Sequence, residues 1–229
     1  MNRLQIREEI RRLIRDTATD PASQKFSDTV LNSRMNEVQE EMCSIAAMLP
    51  SRASVNLVAS TREYTLPDYY LAITAVYLKD SSGDYKPLTK ATESELSLLD
   101  VDWRDDSNTS DRPTYYYLRR SVIGLYPMPS VSRTSGLQID LIRRPDQMDE
   151  DTDIPFENNY KYYSAHMGLV YGVCKICKAA DGKFDESEVF ESKYGLKIKE
   201  ILRELSRDNE LTRIPNIYES ARTGARRTC

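Results

Sequence analysis

The hydrophobic period of this chain changes twice, and that change limits its fold more than any single motif. Between Asn2 and Thr17, Ile6, Ile10, Leu13 and Ile14 recur at the spacing of one helix face. A second helical stripe follows the Ser27-Asp28 start signal through Leu31, Met35, Val38, Met42, Ile45, Ala46 and Leu49, and Pro50 closes it. After Ser54 the period shortens. Val55 to Ala59, Tyr64 to Leu66 and Ile73 to Leu78 are short β-branched or aromatic runs, separated by turn chemistry such as Asp80-Ser81-Ser82-Gly83-Asp84. A Thr92-x-x-Glu95 box with Leu96, Leu98 and Leu99 predicts a short helix or turn within Thr89 to Leu99. Thr114 to Arg119 and Val122 to Tyr126 predict a hairpin around Arg120-Ser121, and Leu137, Ile139 and Leu141 alternate in a further strand before Pro145. The helical period then returns with Tyr163, Met167, Val170, Cys174 and Cys177. Past the Asp181-Gly182 break it continues with Phe190, Tyr194, Ile198, Ile201, Leu202 and Leu205, and from Leu211 it dissolves.

Helices on both sides of a β-patterned centre predict an α+β fold. The expected architecture is an antiparallel helical bundle built from both chain ends, with a small inserted antiparallel β-sheet domain and an extended C-terminal arm. The boundaries fall at residues 1–54 and 146–210 for the bundle, 55–145 for the sheet and 211–229 for the arm.

Charge and composition exclude several classes. No apolar run approaches the ~20 residues of a membrane span, and Met1 to Glu9 lacks the apolar stretch of a signal peptide. Four cysteines in 229 residues give no reason to invoke a disulfide scaffold, so a reducing compartment is expected. A net charge of −4 argues against a dedicated binder of the nucleic-acid backbone. Fifteen Tyr stand against four Phe and one Trp. Tyrosine combines an apolar body with a polar tip, so this excess points to surfaces buried against partners.

Catalytic chemistry is hard to place. Cys174-Lys175-Ile176-Cys177 is a lone CxxC inside a helical stripe, and Cys43, Cys229 and His166 offer no second ligand pair at zinc spacing, so core packing is expected. His166 has no nucleophile motif beside it, and the chain contains no Walker loop, GxGxxG, HExxH or GxSxG. No enzyme, cofactor or metal site is expected.

Three charged features remain. Arg3, Arg7, Arg11 and Arg15 lie four apart and sweep about 120° beside the apolar face of the first helix, a stripe suited to protein contact, to phosphates, or to a plain solvated helix face. Acidic residues cluster around Trp103-Arg104 and again at Asp146, Asp149, Glu150, Asp151, Asp153 and Glu157. These are either solvated loops or a negative wall beside DNA or a basic partner. Residues 212–229 carry Arg213, Arg222, Arg226 and Arg227 against Glu219, net +3, with Ile214, Pro215, Ile217 and Tyr218 as an apolar anchor. Such a segment is either a frayed terminus or one suited to docking in a preformed groove.

Arg62-Glu63-Tyr64-Thr65-Leu66-Pro67, Tyr70-Leu71-Ala72-Ile73, Val76-Tyr77, Leu88-Thr89, Trp103-Arg104, Pro113-x-Tyr115-Tyr116 and Ile123-Gly124-Leu125-Tyr126-Pro127-Met128-Pro129 together resemble the head-to-tail adaptor proteins of short-tailed bacteriophages. The resemblance runs in motif detail from about Val55 to Arg144. It implies a virion structural protein, assembled in the host cytoplasm as a dodecameric ring below the portal protein. Such a ring extends the DNA channel, lets DNA pass without specific binding, and holds the tail nozzle and tail fibre proteins. By that resemblance the arm with Ile214, Pro215, Ile217, Tyr218, Arg222, Arg226 and Arg227 would grip the portal. Arg3, Arg7, Arg11, Arg15, Tyr115, Tyr116 and Tyr117 would then serve subunit contacts, and Asp146, Asp149, Glu150, Asp151 and Asp153 would face the channel. The alternatives are another phage neck or tail-completion protein, or a nucleic-acid-binding protein that uses the arginine helix and stacks bases on tyrosines.

Overall fold

The computed structural model describes residues 1–208. The chain is α+β, with five α-helices among the described residues and sheets that contain antiparallel pairs. Helix α1 (Arg3–Ile14) opens on a capping box: the Asn2 side chain accepts from the Gln5 N–H, and the Gln5 side chain accepts from the Asn2 N–H. It closes on Arg15, whose φ of +63° is left-handed and whose N–H donates to the Arg11 carbonyl. In helix α2 (Asp28–Ile45) the Ser27 hydroxyl accepts from the Val30 N–H.

Helix α2 stops short of the Leu49 that its stripe predicts. Ala47 and Leu49 take left-handed φ angles of +50° and +59°, which turns the chain out of the helix. Ala46, Met48 and Leu49 nevertheless stay in the helical core. Their apolar spacing therefore reported burial, which an irregular segment supplies here as well as a helix would.

The centre departs from a single small antiparallel sheet. Strands β1 (Pro50–Leu57), β2 (Glu63–Thr65), β3 (Tyr70–Lys79), β4 (Tyr85–Pro87) and β5 (Thr89–Lys90) precede helix α3 (Glu93–Leu99). Strands β6 (Thr109–Ser110), β7 (Tyr115–Arg119), β8 (Val122–Tyr126), β9 (Met128–Pro129) and β10 (Arg133–Arg143) follow it. They build one four-stranded sheet in the order β1-β10-β3-β4, a second in the order β2-β8-β7-β5, and the pair β6-β9. The first sheet is wholly antiparallel, whereas β5-β7 and β6-β9 are parallel. The parallel β5-β7 pair follows from a long connection carrying α3, since parallel neighbours need a crossover rather than a tight turn. The expected hairpin is present, with Tyr116 opposite Leu125 and Leu118 opposite Ile123. One apolar cluster draws on both four-stranded sheets, with Val76, Leu78, Leu137 and Ile139 from the first and Tyr116, Ile123 and Leu125 from the second.

Helices α4 (His166–Ala180) and α5 (Phe184–Asp208) run antiparallel, tied by Ser164 to Glu204 at 2.7 Å and Lys175 to Glu191 at 2.9 Å. Ile6 and Ile10 of α1, Leu31, Met35 and Met42 of α2, Leu169 and Val173 of α4, and Tyr194 and Ile198 of α5 share one apolar cluster. No helix among the described residues is long and apolar enough to cross a membrane.

Candidate functional site

The arginine stripe and one of the acidic clusters meet each other. Asp151 accepts from Arg3 Nη2 at 2.9 Å and from Arg7 Nη1 and Nη2 at 3.0 Å each, and Arg3 Nη1 donates to the Met148 carbonyl at 2.7 Å. The same loop satisfies open amides at the start of α1: Arg3 N–H donates to the Asp153 carbonyl and Leu4 N–H to the Asp151 carbonyl. A carboxylate at this end of α1 also complements the helix dipole. Farther along, Arg11 pairs with buried Asp16 at 2.9 Å and with Asp28 at 2.5 Å, and Asp16 accepts from the Lys25 and Phe26 amides. Arg3, Arg7 and Arg11 are buried in these contacts. Arg15 has left the stripe, because it is the exposed left-handed residue that ends α1.

This clasp has a built-in asymmetry. The side chains of Arg3 and Arg7 are 11% and 9% exposed, while that of Asp151 is 46% exposed. Among the described residues, removing Asp151 leaves buried Arg3 with only the Met148 carbonyl and buried Arg7 with Asn32 and a longer 3.4 Å contact to Asp28, whereas removing Arg7 leaves a carboxylate that water can reach. Asp151→Ala is therefore expected to lower the melting temperature more than Arg7→Ala. Hydrogen bonds from Arg7 and then Arg3 hold the Asp151 pKa below the usual carboxylate value. Its contribution is present above the unfolded pKa of about 3.9 and is lost as pH falls through the lower folded value. Thermal melts on the acid side should show a shallower pH slope in Asp151→Ala than in the parent, and an equal slope would refute the assignment.

The three consecutive tyrosines divide between two cores. Tyr116 enters the cluster shared by the two sheets, while Tyr117 packs edge-on against Trp103 at a centroid distance of 5.2 Å in a smaller cluster with Ala91 and Leu96. Tyr117 hydroxyl donates to Glu63 at 3.0 Å, and burial together with that carboxylate raises its pKa. Tyr115 stays half-buried beside Tyr126. Tyr117 is thus covered by α3 and the Trp103 loop of the same chain.

Cys43, Cys174 and Cys177 are free and buried in the helical core, and burial pushes their thiols up to about 12, 12 and 11. Thiols so suppressed are packing residues. His166 is also buried. Its Nδ1 accepts from the Met1 amino group at 2.8 Å, and desolvation lowers its pKa to about 4, so the ring is neutral at neutral pH. No group of three or more His, Cys, Asp or Glu among the described residues could hold a metal ion.

The exposed features lie elsewhere. Asp146, Asp149 and Glu150 remain open to solvent, and Asp153 is half-buried, its carboxylate accepting from the Asp149 and Glu150 amides. Leu98, Leu99 and Val101 form an apolar knuckle at the end of α3, exposed to 87%, 59% and 87%. Sequence gives Leu96, Leu98 and Leu99 only as apolar positions of a short helix or turn. A residue two along a helix lies roughly 200° round, so Leu98 falls away from Leu96, and that spacing was the available signal for this surface. The arm residues Ile214, Pro215, Ile217, Tyr218, Arg222, Arg226 and Arg227 lie outside the described residues.

This is a scaffold with internal charge clasps, buried cysteines and an exposed apolar point, an arrangement suited to association. No curated protein matches the chain. The model of the SU10 adaptor protein family matches residues 1–221, which covers the clasp, both sheets and all five helices. The chain belongs to the SU10 adaptor protein family, in keeping with its resemblance to phage head-to-tail adaptors.

Proposed function

We propose that this protein is a non-enzymatic structural subunit of a phage virion, assembled as a dodecameric ring between the portal protein and the tail nozzle and fibre proteins. The family match over residues 1–221 carries this reading, because it spans the body and enters the arm. On this reading α1, α2, α4 and α5 form one bundle built from both chain ends, residues 55–145 are an inserted domain, and residues 211–229 are the arm that grips the portal. The absorption of Arg3, Arg7 and Arg11 into clasps within the chain counts against a phosphate-gripping helix, and equally takes these three out of the expected subunit contacts. Of the residues expected at subunit contacts, Arg15 and Tyr115 keep accessible surface. Exposed Asp146, Asp149 and Glu150 suit a channel wall that repels DNA phosphates during passage.

Deleting residues 211–229 tests the arm. The truncated chain should keep the helical circular dichroism and cooperative melt of the parent but lose capture by immobilised portal protein. Undiminished capture would overturn the arm's role.

A further inference from the structure

We propose that successive copies of this chain meet head to tail, the α3 knuckle of one seating in the cleft beside β4 of the next. This inference rests on the ring reading and names the contact that would build it. The knuckle is Leu98, Leu99 and Val101, the most concentrated exposed apolar surface among the described residues. It cannot serve its own core, because Leu96 already fills the inward face of α3 against Trp103 and Tyr117. It is also held rigidly. Trp103 Nε1 donates to Ser97 Oγ at 3.0 Å, Tyr126 hydroxyl donates to Asp100 at 2.8 Å, and the Thr92-Glu95 capping box fixes the start of the helix. A preorganised apolar point loses little conformational freedom on docking.

The cleft offers the complementary surface. It holds about 390 Å³, a size within the range of ligand-binding clefts, between β4 and the segment before β7. Pro87 and Leu88 supply its accessible apolar surface over buried Leu78 and Pro113; Lys86 is paired with Asp80 and Asp84, which leaves Arg112 as the cation on offer. Exposed Asp102 accompanies the knuckle, while Asp106 lies 3.6 Å from Arg62 of the same chain. Neither Asp102 nor Arg112 has an ion pair among the described residues. In the proposed contact Leu98, Leu99 and Val101 meet Pro87 and Leu88, and the Asp102 carboxylate meets the Arg112 guanidinium. On the ring reading each copy gives its knuckle to one neighbour and its cleft to the other, a heterologous contact.

The test uses the full chain, assembled on portal protein and followed by native mass spectrometry and sedimentation. The triple variant Leu98→Ser, Leu99→Ser, Val101→Ser should melt like the parent, since these side chains are exposed, yet need at least about tenfold more protein to assemble. Asp102→Arg and Arg112→Asp should each weaken assembly, and combining them in one chain should restore it. If the parent assembles and the triple variant assembles at the same concentration, the contact is overturned while the ring reading stands. If the triple variant assembles normally but loses a tail protein, the knuckle belongs to that partner and the proposal is likewise overturned. A parent that stays monomeric on portal removes the ring reading and this contact together.

Discussion

Replacing Gly124 by alanine is expected to destabilise the fold by about 3 kcal/mol through overpacking, which lowers the melting temperature by roughly 6–12 °C for a chain of this size. Gly124 lies in β8 directly opposite Tyr117 in β7, and the tyrosine ring covers its backbone. A Cβ at Gly124 would stand 2.0 Å from Tyr117 Cζ and 2.3 Å from Cε1. The ring has nowhere to go. It packs edge-on against Trp103, its hydroxyl donates to Glu63, and it is 3% exposed. Displacing it opens the small core under α3. Trp103 is the only tryptophan, so its fluorescence reports that core alone. Gly124→Ala should shift the emission toward that of solvated indole along with the melt. An unchanged spectrum with a melt within about 2 °C of the parent would mean the ring is free to swing away.

The second large effect is expected in the helical core. Gly172 of α4 is the point where α2 and α5 both approach closely: a Cβ there would lie 2.5 Å from Val38 Cγ1 and 3.1 Å from Tyr194 Cε2. Val38 is β-branched and buried, so it has little rotamer freedom with which to yield. Gly172→Val adds further methyl groups and is expected to cost about 3 kcal/mol. Val38 comes from the first third of the chain and Tyr194 from the last, so hydrogen exchange should accelerate in both α2 and α5. Acceleration confined to α4 and α5 would contradict a core shared by both chain ends.

Much of this architecture was legible in the sequence, and the exceptions have physical causes. Periodicity located α1, α4 and α5, and the Ser27 and Thr92 signals marked helix starts where side-chain caps form. The two-residue turn at Arg120-Ser121 predicted the β7-β8 hairpin. The two-residue strands β5, β6 and β9 are too short to carry an alternating pattern, so the parallel pairs they make had no local signature. The end of α2 was overread because Met48 and Leu49 keep apolar spacing after the helix has ended.

The candidate sites were legible as residues but not as partners. The arginine stripe and the cluster around Asp151 were each visible, yet nothing local links Arg3 to a carboxylate 148 positions away. Tyrosine excess suggested surfaces buried against other chains, and Tyr116 and Tyr117 are consumed by the chain's own cores. The knuckle at Leu98 to Val101 went unrecognised because three leucines in a short segment signal a helix or turn without showing which of them it buries; Leu96 is buried and Leu98 and Leu99 are exposed.

The central claim is that this chain works by assembling between portal and tail. The mass of the purified protein, measured alone and after mixing with portal protein, tests it most directly. The account predicts a ring of adaptor subunits bound to portal, whether the free protein is monomeric or already associated. A chain that stays monomeric and passes portal by, even at high concentration, would contradict it.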